Sequence, residues 1–531
     1  MQSKNELAEF RNDLYNSFPK LKDSLMNLVD SLCSSGHVST SVVQLSKSSS
    51  FDREYSSVTA AITKGLPEVD FNKISRLVYD KTSEIGLNKP YRFLIDCTPH
   101  RRNYSRKLVD RHITHFPNNA PGNKPICVGH QYSVLMMLPE EQGELSKRWL
   151  IPISAQRVTS EEKGNELGMR QVTESISNLA LSDNLCISIG DSLYGTEACR
   201  IEADKQKNLV HIFRISNNRN LYSKPNIESL NSSSKGRKKE FGNKMNLGKL
   251  DTHIPHNTEE EFQWTNYKGI EYTVRVRCWK DMLLRGSRYY NASKHPMNLV
   301  QISILDKNQK EVHKRPLWLC VFGARRNDVS AIDAYKNYKS RYDIEHFFRF
   351  GKQKLLFTSY QTPKVEHEEL WWKLCLVAYA QLYLGKSIVS SHPEPWERYL
   401  PAYKDASCVK NQTISPSQVQ KNFSDILQMI GTPAKASVAR GRKSGRLLGE
   451  KQVKRESLDI VFKSKAAIQN RLKSIITETE NKRNISKPEK ITSIIELVQK
   501  LLKKANITPE KFSNLLLDWL CPIDCVNSHK L

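Results

Sequence analysis

Two short apolar runs, each carrying an aspartate near its end, constrain this chain most. They are YRFLID (91–96), with Asp96, and NLCISIGDS (184–192), with Asp191. Between and after them lie VGHQYSVLMMLP (128–139), WLIPISAQRV (149–158), a helical pattern from about 166 to 181, and NLVHIFRIS (208–216). Strand runs followed by helix and strand predict a mixed α/β structure around a central sheet. Three further runs, YTVRVRCW (272–279), NLVQISILD (298–306) and PLWLCVFGA (316–324), are set between polar loops such as SLNSSSKGRKKEFGNK. They predict a β-rich insertion over 220–320, whose basic loops are candidate DNA contacts or plain solvated loops.

The flanks read differently. Residues 1–88 carry helically spaced apolar positions and are expected to form a helical N-terminal DNA-binding region. A helix is expected over about 328–356, and a more apolar one over about 368–388, with Trp371 and Trp372 as core. The core is then divided into 89–219 and 321–395, with a basic linker and helical C-terminal region over 396–531. Within that tail, 433–456 reads either as a flexible arm for phosphates or as a solvated linker.

Charge narrows the partners. The 531 residues hold 82 Lys and Arg against 56 Asp and Glu, a formal net charge of +26. Such an excess points to a polyanion. No apolar run is long enough to span a bilayer, and the charged N-terminus lacks the apolar segment of a secretion signal. The 11 cysteines are an odd number scattered through the apparent strands and helices, which suits a reducing, cytoplasmic setting. Cys521 and Cys525, with His529 nearby, make an isolated and weak zinc pattern. Phosphate-binding glycine loops are absent, so no nucleotide cofactor is expected.

The segment YKSRYDIEHFFRFGK (338–352) is neither a plain core helix nor a plain surface helix. At 100° per residue, Tyr338, Arg341, Glu345 and Lys352 fall within an arc of roughly 60° along roughly 20 Å of helix. One carboxylate beside an arginine, a lysine and a tyrosine hydroxyl suits a metal ion and phosphates. An exposed helix with i,i+4 pairs such as Arg341–Glu345 would show the same residues. Asp96, Asp191 and Glu345 could converge at a sheet edge and hold two hard divalent cations about 3.5–4 Å apart, the arrangement for in-line attack at phosphorus. Each aspartate alone could equally cap a turn.

The spacing Tyr338-x2-Arg341-x3-Glu345-x6-Lys352, together with the order Asp, Asp, β-rich insertion, Glu, resembles the Y-R-E-K signature of bacterial insertion-sequence DDE transposases of the IS-four type. The resemblance covers about 90–390. It implies an RNase H-like catalytic core, a mixed sheet flanked by helices, interrupted by the β-rich insertion. It further implies Asp96, Asp191 and Glu345 as ligands of two Mg²⁺ ions, which Mn²⁺ can replace, with Tyr338, Arg341 and Lys352 on phosphates. Trp318 would stack on a flipped base, although its neighbours Leu317, Leu319 and Val321 also suit a core tryptophan. Arg101 and Arg102, next to His100, are either DNA contacts or a surface turn. Cys97 stands where many relatives carry an acidic or small polar residue. The implied activity is cut-and-paste transposition of double-stranded DNA by a nucleoid-associated homodimer. Its rivals are a metal-dependent nuclease without strand transfer and a domesticated DNA-binding protein without activity.

Overall fold

The computed structural model describes residues 2–34, 40–82, 90–116, 124–139, 149–225, 240–266, 269–285, 291–389, 414–438, 448–449, 451 and 454–461. Residues 226–239, 390–413, most of 439–453 and everything after 461, including Cys521, Cys525 and His529, lie outside them.

The apolar runs form strands that share one large sheet. In chain order they are β1 (Tyr91–Arg101), β2 (His112–His115), β3 (Ile126–Met137), β4 (Ile151–Val158), β5 (Cys186–Gly190) and β6 (Leu209–Arg214). A small pair follows, β7 (Asn220–Tyr222) with β8 (Lys244–Asn246). Then come β9 (Thr258–Thr265), β10 (Glu271–Met282), β11 (Met297–Leu305) and β12 (Leu317–Phe322). The sheet runs β2-β3-β1-β5-β6-β12-β11-β10-β9, with β4 also paired to β3. β1 is antiparallel to β3 and parallel to β5, and β5 is parallel to β6. Parallel neighbours need a crossover, and the helix Gly164–Asn178 supplies it between β4 and β5. The result is a mixed sheet flanked by helices, compatible with an RNase H-like fold.

Apart from the small β7–β8 pair, the described strands of the region read as an insertion form no separate sheet. β12 pairs antiparallel with β6, so β9–β12 extend the same sheet as a meander. β9 escapes the sequence pattern because TEEEFQWT is polar. Its glutamates pair across the ladder, Glu259 with Arg277 and Glu261 with Arg275, at the open edge of the sheet.

The helix expected over 328–356 is two helices, Ala331–Lys339 and Asp343–Lys354, joined by a tight turn at Ser340–Tyr342. The Ser340 hydroxyl donates to the Lys336 carbonyl one turn back, at 3.3 Å, a bond that bends helices. The central helix Val365–Gly385 is apolar nearly all round and buries Trp371 and Trp372 completely. One side lies on β4, the other under the N-terminal helices Gln2–Asn16 and Lys22–Ser34. Those two helices are held together by the buried Arg11–Asp30 ion pair. Gln381 of the central helix donates to Asp30, so the N-terminal helices are part of the body of the molecule. Among the described residues no helix is long and apolar enough to cross a membrane, and the cysteines are free thiols.

Candidate active site

β1 carries Asp96, Thr98 and His100 on one face, because side chains alternate along a strand. The helix Asp343–Lys354 packs on that strand. Two contacts tie the strand to the helix pair, and a third holds Arg341 to Glu345 within it. Arg341 donates through Nη1 to Asp96 Oδ2 at 3.2 Å and through Nη2 to Glu345 Oε1 at 3.2 Å. Lys352 donates through Nζ to Thr98 Oγ1 at 2.6 Å. The bend at Ser340 sets Arg341 between the two carboxylates. Arg341 and Lys352 thus meet β1 at Asp96 and Thr98, Glu345 joins them through Arg341, and Tyr338 ends the preceding helix near Arg341 and Asp191.

Asp191 leaves the end of β5, next to β1, and starts the short turn Ser192–Gly195. Its side chain accepts from the Leu193 amide at 2.8 Å. It is close enough to Asp96 for the two charges to interact. Burial pushes the Asp96 carboxyl up to about 6. Arg341 and the Cys97 amide oppose the rise, while Asp191 and Glu345 add to it. About a fifth of the Asp96 side chain is exposed, against 42% for Glu345. For Arg341, the attraction of Asp96, Tyr338, Asp191 and Glu345 outweighs burial and holds its proton more firmly than usual. Burial pushes Lys352 down to about 8. Burial also raises Tyr338, against the pull of Arg341 and Arg214.

These groups form a repelling set of carboxylates held by one guanidinium. All the donors are hard oxygens, the set a divalent ion of the Mg²⁺ or Mn²⁺ kind takes. In this arrangement Arg341 stands between Asp96 and Glu345, and among the described residues no group of three or more His, Cys, Asp or Glu is drawn close enough to ligate an ion. The residues fit the ion by chemistry; closing them onto it requires Arg341 to yield its place to the stronger charge.

A cleft of about 870 Å³ opens beside this point. It is lined by Arg214, Arg315, Lys339, Arg341 and His313, with Tyr338 and Tyr342 among the aromatic walls. The sequence did not single out Arg214 or Arg315. Arg214 ends β6, while Arg315 follows His313 and Lys314 just before β12, and no local pattern marks either as part of a cleft.

Two of the expected DNA contacts face inward. Trp318 is fully buried, with its ring 5.5 Å from Trp279 and 5.6 Å from His253, centroid to centroid, so no base can stack on it in this conformation. Arg102 is 3% exposed and donates to Glu368 Oε2 at 2.8 Å and to the carbonyls of Tyr360 and Thr362. Its guanidinium is used up inside the fold, because a buried cation must be paired. Arg101, by contrast, is exposed, with its guanidinium 5.3 Å from the centre of the Phe116 ring.

A family model described as DDE superfamily endonuclease matches residues 13–282, just over half of the chain. The match includes Asp96 and Asp191 and ends before Tyr338. No curated protein matches the chain.

Proposed function

Because the chain belongs to the DDE superfamily endonucleases, we propose that it is a DNA transposase of the insertion-sequence type. It binds the inverted-repeat ends of a mobile element, cuts them by hydrolysis and joins the freed 3′ ends to target DNA. The observation that carries this reading is Arg341. Its one guanidinium bonds Asp96 of β1 and Glu345 of the helix, which lie far apart in the chain. A carboxylate pair with a raised Asp96 at the end of a strongly basic cleft is the arrangement that cutting a phosphodiester needs.

Asp96, Asp191 and Glu345 would hold two divalent ions, whose chemistry would be to activate a water or 3′-hydroxyl and to stabilise the leaving oxygen. The chain's own residues do the rest. Arg341 neutralises the carboxylates until DNA arrives and then turns to a phosphate, for which its planar fork is suited. Lys352, with a proton held loosely and Thr98 Oγ1 beside its ammonium, places a compact positive charge on the strand. Tyr338 donates its hydroxyl to a phosphate oxygen. Arg101, Arg214 and Arg315 extend the positive track along the duplex. Cutting two ends in concert calls for two copies on DNA.

The test uses a labelled duplex carrying the terminal repeat that flanks the gene. Asp96→Asn, Asp191→Asn and Glu345→Gln keep side-chain shape and remove charge. Each is expected to abolish cleavage in Mg²⁺ while leaving the shift of the duplex on a gel unchanged. Cleavage by Glu345→Gln within a few-fold of the parent chain excludes the third carboxylate. Cutting without joining of 3′ ends to a target plasmid leaves a nuclease.

A further inference from the structure

Beneath Asp191 lies a buried polar chain that the proposed chemistry does not use. Ser188 on β5 and His211 on β6 are direct partners across parallel strands, both fully buried. The Ser188 hydroxyl is 2.8 Å from His211 Nδ1, and His211 Nε2 is 3.1 Å from the Tyr194 carbonyl. A carbonyl only accepts, so Nε2 carries the hydrogen. Burial pushes the ring down to about 4, so it is neutral at working pH, Nδ1 is bare and the Ser188 hydroxyl donates to it. This fixes the tautomer and the ring plane.

Tyr194 lies in the turn Ser192–Gly195 that Asp191 begins, and its amide donates back to the Asp191 carbonyl at 3.2 Å. Its ring is fully buried, and its hydroxyl is 3.7 Å from the sulfur of Cys97, the residue after Asp96. Its ring closes against Gly190: a Cβ there would lie 2.7 Å from the Tyr194 ring. Tyr194 is thus a strut between the two aspartates, fastened at its backbone end by His211.

We propose that His211 is a positioning residue: through the Tyr194 carbonyl it holds the turn that Asp191 begins and so fixes Asp191 relative to Asp96. The inference rests on Asp96 and Asp191 being metal ligands. Groups that orient ligands without touching the metal are worth about 10–100-fold in metal affinity.

The experiment is a Mn²⁺ titration of the full chain at pH 7.5, followed by the electron paramagnetic resonance of free Mn²⁺, beside the Mn²⁺ concentration that half-activates cleavage. His211→Leu is expected to raise both constants about tenfold or more. His211→Gln, whose amide can donate to the same carbonyl, stays within about threefold. Val210→Ala, on the opposite face of β6, lowers the melting temperature and leaves both constants alone, which separates positioning from stability. A folded His211→Leu with parental Mn²⁺ affinity overturns the proposal. If that variant does not fold, Ser188→Ala decides: weaker Mn²⁺ binding supports the relay, and parental affinity overturns it. Asp191→Asn tells the two readings apart. Parental Mn²⁺ binding by Asp191→Asn removes the metal site and this inference with it. Loss by Asp191→Asn without loss by His211→Leu removes only the relay.

Discussion

β1 meets two carboxylate–arginine clusters on one face, four residues apart, and they are built in opposite ways. At His100 the strand touches Glu368, which is completely buried and met by four donors. Arg102 reaches one oxygen at 2.8 Å. His130 Nδ1 at 2.8 Å, the Tyr132 hydroxyl at 2.9 Å and His100 Nδ1 at 3.3 Å gather at the other. Burial alone would raise this carboxyl, but the hydrogen bonds from His100 and His130 hold it far below the usual carboxylate range. At Asp96 the balance is reversed: burial and the charges of Asp191 and Glu345 outweigh Arg341. The first carboxylate is saturated with donors and closes the fold. The second has surplus negative charge and partly exposed oxygens. A site that must accept a cation keeps charge unsatisfied, and the fold around it carries the cost.

Removing the saturated carboxylate should have the largest effect on stability. Glu368→Gln strands Arg102 and both histidines in the core and should cost about 3–5 kcal/mol in urea unfolding. A loss under about 1 kcal/mol would show the two clusters to be energetically alike. The opposite sign is expected at the other end of the face. Asp96 has a folded pKa raised above its unfolded value, so its charge destabilises the metal-free protein above pH 6, and the penalty vanishes below about pH 4. With a chelator present, Asp96→Asn should therefore stabilise the protein by about 1–3 kcal/mol at pH 7.5. That gain should disappear as the pH is lowered to 4. A destabilised Asp96→Asn would mean that Arg341 more than balances its neighbours.

A smaller effect tests the grip. Lys352→Met should remove one phosphate contact and flatten the slope of log affinity against log salt by about 0.9. An unchanged slope would assign Lys352 to Thr98 and the fold alone. The smallest change expected is at Trp318, whose indole nitrogen has no hydrogen-bond partner among the described residues. Trp318→Phe should alter stability by less than about 1.5 kcal/mol and leave the cutting of both strands intact. Selective loss of second-strand cutting would bring the tryptophan out of the core and back to the DNA.

The placement of Glu345 and Lys352 was legible because a helix turns at a fixed angle, whereas the turn at Ser340–Tyr342, which separates them from Tyr338 and sets Arg341 between two carboxylates, was not. The strands bearing Asp96 and Asp191 were legible because apolar runs of that length bury themselves in a sheet. Strand β9 was hidden, since its three successive glutamates at Glu259–Glu261 read as loop until the arginines of β10 stand opposite them. Arg102 and Arg101 are neighbours with the same charge, and nothing local separates one that turns inward from one that faces solvent. Only Glu368, carried in by a helix from far along the chain, fixes the inward one. Trp318 likewise suited either a core or a stacking surface until Trp279 and His253 closed around it. Local periodicity depends on backbone geometry, which the sequence carries in full. Which face is covered, and which charge is left without enough partners, depends on segments that meet only when the chain is folded.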